Sequence, residues 1–271
     1  MNAQPSIRPA AVAGLFYPQD GVRLIGDVLA MIESAPAALP KKPKALIAPH
    51  AGYQYSGTTA AAAYARLAPW GDCIDRVILL GPAHRVSLRG LALPDTGAFA
   101  TPLGWVNIDQ EAVARLGDLM QVSVNGAAHT FEHSLEVHLP FLQAVLDQFS
   151  LVPLVVGQAG VEEVATVIDR LWDGERTLIV ISSDLSHFLP YTAAHEVDQQ
   201  TCRAILDFNS RLSPEQACGA YPMNGFLLSA HRHGLVPELI KQCNSGDTAG
   251  DRERVVGYAA FAFYEAETLH G

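Results

Sequence analysis

Four short runs of nearly uninterrupted apolar residues constrain this chain more than any other feature: "KALIAP", "DRVILLGP", "SLVPLVVG" and "RTLIVISSD". Apolar residues at every position, rather than alternate ones, suit strands that are covered on both faces. Helical patterns separate the runs. The alanine-rich "TTAAAAYARLA" lies between the first two, and the periodic "VEEVATVIDRLW" lies between the last two. Strands and helices in this alternation predict an α/β fold with helices on both faces of one sheet. A first helix is expected over "GVRLIGDVLAMIE". The proline-rich "SAPAALPKKPK", residues 34–44, then reads as a surface connection to the first strong strand.

Between the second and third runs, "RGLALPD" and "TPLGWVNID" look like a shorter strand pair, and "RVVGYAAFAFYE" closes the chain as another buried strand. These additions predict a mixed rather than purely parallel sheet. Nothing divides the chain into two cores, so residues 1–271 are expected to form a single domain.

The charge balance narrows the function. With 18 basic and 28 acidic residues the net charge is −10, which argues against sequence-independent nucleic-acid binding through phosphate neutralisation. No Lys/Arg-rich run suggests an anionic membrane surface, and no stretch of about 20 apolar residues is present to span one. The N-terminal segment lacks the charged start and unbroken apolar core of a signal peptide. The four cysteines form no CxxC pair and are too sparse for a disulfide scaffold. A cytoplasmic protein with reduced thiols is the expectation.

Three strong strand candidates end alike. "ALIAPH" delivers His50, "VILLGPAH" delivers His84, and "LIVISSDLSH" delivers Asp184 and His187. Open α/β sheets bind ligands beyond the carboxyl ends of their strands, so these side chains can converge although they lie far apart in sequence. A single histidine there is an ordinary turn residue bonded to backbone. Three delivered in the same way point to a shared site. Imidazole is a common ligand of zinc, iron and copper and the usual acid or base near neutral pH.

A second cluster, "HTFEHSLEVHLPFL" (residues 129–142), contains His129, Glu132, His133, Glu136 and His138. On a helix His133 and Glu136 would share a face, which makes HxxE a possible ligand pair. The ordinary alternative is a polar helix start with Ser134 as N-cap. An orienting role behind the ligands lies between the two. Cys243 opens the polar, glycine-bearing loop of "IKQCNSGDTAGDRERVVGYAA" and is a better ligand candidate than Cys73, Cys202 or Cys218, which sit in elements or their flanks. No GxSxG elbow or P-loop appears, and "GDTAGD" lacks the acidic positions of a calcium loop.

"RPAAVAGLFYP", "APHAGYQYSG", "GPAH", "EHSLEVHLPFL", "SSDLSHF" and "NSGDTAGDRERVVGYAAFAFY" occur in order over nearly the whole chain. Together they resemble the Memo family (mediator of ErbB2-driven cell motility), in particular its prokaryotic branch, the AmmeMemoRadiSam system protein B. The resemblance implies a fold similar to the catalytic subunit of class III (LigB-type) extradiol dioxygenases, which are non-haem Fe(II) enzymes. It implies His50 and His84 as metal ligands, His187 as acid–base catalyst, and Cys243 as third ligand where the dioxygenases use glutamate. Iron is the implied metal, with copper or zinc as alternatives. Radical SAM and AMMECR1-type proteins are implied partners. Tyr53, Tyr55, Glu132, His133 and Asp184 are expected as wall or orienting residues. Three functions follow as expectations: an iron-dependent redox enzyme acting on a small molecule, a non-catalytic module that binds metal or a peptide, and a zinc hydrolase.

Overall fold

A computed structural model describes residues 6–37 and 40–266. The start of the N-terminal segment (1–5), residues 38–39 of the 34–44 connection, and 267–271 lie outside it. The strands are β1 (Ile7–Arg8), β2 (Ala45–Ala48), β3 (Arg76–Pro82), β4 (Leu91–Leu93), β5 (Ala98–Thr101), β6 (Gly104–Asn107), β7 (Val122–Val124), β8 (Ser150–Val156), β9 (Thr177–Ser182), β10 (His187–Leu189), β11 (Leu235–Asn244) and β12 (Val255–Glu265). The α-helices are α1 (Gly21–Glu33), α2 (Tyr53–Tyr64), α3 (Gln110–Ala114), α4 (Gly126–Thr130), α5 (Leu139–Val145), α6 (Val161–Leu171), α7 (Tyr191–Leu206) and α8 (Ala220–Arg232).

The four apolar runs become β2, β3, β8 and β9, which lie side by side in parallel in the order β2-β9-β3-β8. Antiparallel β12 extends the sheet beyond β2 and carries β10 and β11, while β4 pairs antiparallel with β8 at the other side. The sheet is therefore mixed, as expected. Its continuous apolar strands are explained by two cores. Leu46 and Ala48 of β2 face a cluster built with α1, α2 and α5, whereas Ala45 and Ile47 face one built with α6, α7 and α8. Helices on both faces leave almost no position of these four central strands to water.

Local chemistry sets the helix boundaries. Asp20 caps α1 by accepting from the Arg23 amide at 2.8 Å, and Leu24 and Val28 turn its apolar stripe inward. Ala60–Ala63 of α2 are all buried, and side chains this small let the helix lie close to the sheet. The expected pairing of "RGLALPD" with "TPLGWVNID" does not occur. β4 joins the main sheet, and β6 instead pairs with β5, "AFAT", through a turn at Pro102–Leu103. β5 also pairs with β1, forming a separate three-stranded sheet that anchors the N-terminal arm. Among the described residues no helix is long and apolar enough to cross a membrane.

Candidate metal centre

The strand order brings the expected histidines together. β9 lies between β2 and β3, so Pro49–His50, Ala83–His84 and Ser183–Asp184 leave adjacent parallel strands at the same sheet edge. The third histidine arrives from another direction. His133 lies in the turn between α4 and α5, which packs against the end of β3. Gly81 permits this approach, because a Cβ there would lie 2.8 Å from Leu135 and 2.9 Å from Ser134 Oγ. Ser134 Oγ donates to the Pro82 carbonyl at 2.8 Å and ties the turn down.

One ligand nitrogen from each of His50, His84 and His133 lies within 4.8 Å of the others. Their ring centroids are separated by 4.9 to 5.5 Å. Exposure differs sharply across the group. His50 is 2% exposed, while the side chains of His133 and His84 are 13% and 29% exposed, so the approach from solvent is on the His84 side.

Hydrogen bonds behind the rings fix which nitrogens are free. Ser182 Oγ donates to the Ser134 carbonyl at 2.5 Å, having only one proton to give. It must therefore accept from His50 Nδ1 at 2.6 Å, which leaves the lone pair on His50 Nε2. Glu132 plays the same part for His84. Its Oε1 accepts from His84 Nδ1 at 3.0 Å and from the amides of His133 and Ser134, and its Oε2 accepts from the His84 amide at 2.6 Å. Burial alone would raise the Glu132 pKa, but the adjacent His133 ring, the His84 ring bonded to it and the amides it accepts from hold it well below the carboxylate range. An ionised Glu132 makes His84 an Nδ1–H tautomer with Nε2 free. His133 Nδ1 lies 3.3 Å from the same Oε1 but off the hydrogen-bond axis, and it is buried without a hydrogen-bond partner.

Burial also pushes His50 well below its ordinary pKa, with His84, His133 and His138 adding to the effect. A neutral imidazole with its second nitrogen held from behind is the form in which histidine binds metal. The donor set therefore fits a first-row transition ion.

A family model described as "Memo-like protein" matches residues 8–262. The chain belongs to the Memo family. It is 34% identical to a MEMO1 family protein of Sulfolobus acidocaldarius, with 95% of this chain and 99% of the relative covered. It is 35% identical to relatives of the same name from Aquifex aeolicus (95% of this chain, 99% of the relative) and Methanosarcina barkeri (94% and 98%).

Of the other expected site residues of this Memo-family chain, Asp184 touches the cluster. Asp184 Oδ1 accepts from the His50 amide at 2.8 Å; its burial raises the carboxyl pKa, which that bond partly opposes. His187 donates from Nδ1 to the Leu185 carbonyl at 2.8 Å, because a carbonyl can only accept, and so keeps its Nε2 lone pair. Tyr53 is a core residue: its hydroxyl donates to the Val137 carbonyl at 2.8 Å and its ring packs on Phe141 and Tyr17. Tyr55 lies in the first turn of α2, and its carbonyl accepts from Thr248 Oγ1 at 3.0 Å.

Cys243 stands apart from the three-histidine group. It pairs in register with Tyr258 of β12, on the strand next to β2, and its Sγ lies 3.0 Å from Thr59 Oγ1. It lines a cavity of about 180 Å³ with Tyr191, His195, Asp198 and Asp247. The cysteine that touches the cluster is Cys218, whose Sγ lies 3.4 Å from His50 Nε2. Burial, then the nearby Asp184, pushes its thiol pKa well up.

The HxxE pair separates. His133 joins the cluster, but Glu136 turns away to the N-terminal arm, where it pairs with Arg8 at 2.7 Å and accepts from the amides of Ala11 and Val12 and from Tyr17 Oη. Ser134 is not an N-cap, because the turn gives way to a short 3-10 segment at Glu136–His138 rather than to a helix starting at Leu135. Arg8 also donates to the carbonyls of His129 and Glu132, both at 2.6 Å, and so grips the segment carrying Glu132 and His133. Phe16 completes that wall, its ring 4.7 Å from His133. A lone arginine and a lone phenylalanine near the start of the chain carry no sequence signal for these roles.

Proposed function

We propose that this Memo-family protein holds a non-haem iron ion through His50, His84 and His133 and acts as a redox enzyme on a small oxidisable molecule. The observation that carries the reading is the convergence of three imidazoles, two with Nδ1 protons engaged from behind and Nε2 free. Iron in such a site supplies open positions for substrate and oxidant and the capacity for electron transfer. Ser182 and Glu132 orient His50 and His84. His187, with a free Nε2, accepts a proton from a substrate hydroxyl. Phe16 walls the approach beside His133 and excludes water, and Cys243, paired with Tyr258, lies outside the three-histidine group.

The test is oxygen consumption by the iron-loaded protein over a panel of catechols and other small oxidisable molecules. The account expects turnover in wild type and loss of turnover with retained iron in His187→Ala. Equal turnover in His187→Ala would contradict the role given to His187. The near-complete burial of His50 favours one second reading, in which the centre stores or senses a metal and a radical SAM partner carries the chemistry. Iron retained without oxygen uptake on any substrate supports that reading instead.

A further inference from the structure

One file of aromatic side chains takes no part in the chemistry described so far. It begins at Tyr64 of α2, which like His138 is 0% exposed, and Tyr64 Oη lies 2.8 Å from His138 Nδ1. Among the described residues that hydroxyl has no other hydrogen-bond partner, so its proton has a single acceptor in reach. The Tyr64 ring stacks on Phe141, with centroids 5.2 Å apart and planes within 4°. Phe141 packs on Tyr53 at 4.8 Å, and Tyr53 packs on Tyr17 at 5.6 Å. The file ends where Tyr17 Oη donates to Glu136 Oε1 at 2.6 Å.

Each terminal phenol thus has a proton acceptor in contact, a carboxylate or an imidazole nitrogen. Tyr53 does not, because its hydroxyl donates to the Val137 carbonyl, which cannot keep a proton, and Phe141 has no proton to release. These two rings serve only as the contact between the ends. One end adjoins the histidine group. The Val137 amide donates to the His133 carbonyl at 3.1 Å and keeps His138 on the turn that carries His133, and the charge of each of these histidines bears on the group's pKa values. The other end reaches solvent, where Tyr17 and Tyr53 line a surface groove of about 560 Å³. Burial holds the Tyr64 phenol well above its ordinary pKa and takes His138 to about 3, so both are neutral at rest. Only an oxidised phenol, a far stronger acid, passes its proton across that bond.

We propose that Tyr64 and Tyr17 are the two stations of an internal redox relay that carries oxidising equivalents from the histidine-bound iron to the groove and so spares the histidine ligands. The inference rests on the reading of the histidine group as a redox-active iron site. Peroxide or dioxygen is the oxidant, acting on the iron when no substrate is bound. Tyr64 then gives one electron to the oxidised centre and its phenolic proton to His138 Nδ1, and becomes a neutral tyrosyl radical. Tyr17 passes an electron through Tyr53 and Phe141 and its proton to Glu136, while His138 returns the first proton to Tyr64. A soluble one-electron reductant in the groove, of the ascorbate class, restores the electron to Tyr17, and Glu136 restores the proton.

The test uses the full chain, loaded with iron anaerobically, mixed with hydrogen peroxide, freeze-quenched and read by electron paramagnetic resonance. Ring-deuterated tyrosine, incorporated during expression, identifies a tyrosyl signal by narrowing it. Wild type should give a tyrosyl radical that ascorbate quenches. Tyr64→Phe keeps the stack on Phe141 but should lose the radical, and oxidised His50, His84 or His133 should accumulate in peptide mass spectra. Tyr17→Phe should leave the radical on Tyr64 and slow its quenching by ascorbate. Tyr264→Phe alters a buried tyrosine outside the file, bonded to Glu238, and should match wild type. A radical that persists in Tyr64→Phe overturns the relay. So does wild type that retains iron and consumes peroxide without forming a tyrosyl radical, and that result leaves the metal reading standing. Wild type that takes up no iron overturns the metal reading itself, and the relay with it.

Discussion

Glu132 holds His84 at two points, accepting from its backbone amide at 2.6 Å and from its Nδ1 at 3.0 Å. The same carboxylate takes the amides of His133 and Ser134. One buried side chain thus ties the end of β3 to the turn that delivers the third histidine. Loss of a group that orients metal ligands typically costs about 10–100-fold in affinity. Glu132→Gln should fall in that range in a competition assay against a chelator. Its amide nitrogen would face donors where the carboxylate faced them as an acceptor. Unchanged affinity would contradict the orienting role.

Ser182→Ala tests the other orienting contact. It removes the acceptor of His50 Nδ1, frees the ring to adopt the other tautomer, and leaves the Ser134 carbonyl without its donor. Metal affinity should fall about tenfold or more. Ser182→Thr, which keeps the hydroxyl, should recover part of it.

Arg8 reaches from the N-terminal arm to Glu136 and to two carbonyls of the 129–136 segment. Arg8→Met leaves Glu136 buried at 0% exposure without its ion-pair partner, a change that costs about 3–5 kcal/mol. Denaturant unfolding should show that loss, and the loosened segment should lower metal affinity as well. An Arg8→Met variant as stable as wild type would contradict the clamp.

Buried histidines, His129 and His138 as well as His50, make the metal-free fold sensitive to acid. Burial takes His129 from its ordinary 6.5 to about 4, partly opposed by its bond to the Ala92 carbonyl, and takes His138 from 6.5 to about 3, with His133 adding to the shift. Both folded values lie below the unfolded ones. As pH falls below about 6.5 the unfolded chain takes up protons that the folded chain does not, so stability is lost progressively toward pH 4 and 3. At about pH 5 each histidine contributes a loss of up to about 2 kcal/mol. The urea midpoint should therefore drop between pH 7 and 5, and a midpoint that holds or rises would contradict the assignment.

His50 and His84 were legible because each follows an apolar strand, and the α/β pattern places such strand ends together. His133 was harder to read. The HxxE spacing implies one helical face, yet α4 ends at Thr130 and only a short 3-10 segment covers Glu136–His138, so the two side chains diverge. Cys218 carried no local signal at all. Its place on His50 depends on the docking of a segment 168 residues away in sequence. In the fold, the long closing strand β12 was evident from its apolar run. "AFAT" was not, because an alanine-rich tetrapeptide has little strand propensity and forms β5 only through β1 and β6 on either side.

The most direct test of the central claim is metal content by elemental analysis of anaerobically purified wild type beside His50→Ala, His84→Ala and His133→Ala. The account predicts iron in wild type at about one ion per chain, as a single ligand set requires, and little or none in each variant. Equal metal in wild type and His133→Ala would contradict the three-histidine centre. The absence of metal from every sample, including iron-reconstituted wild type, would contradict a metal site here altogether.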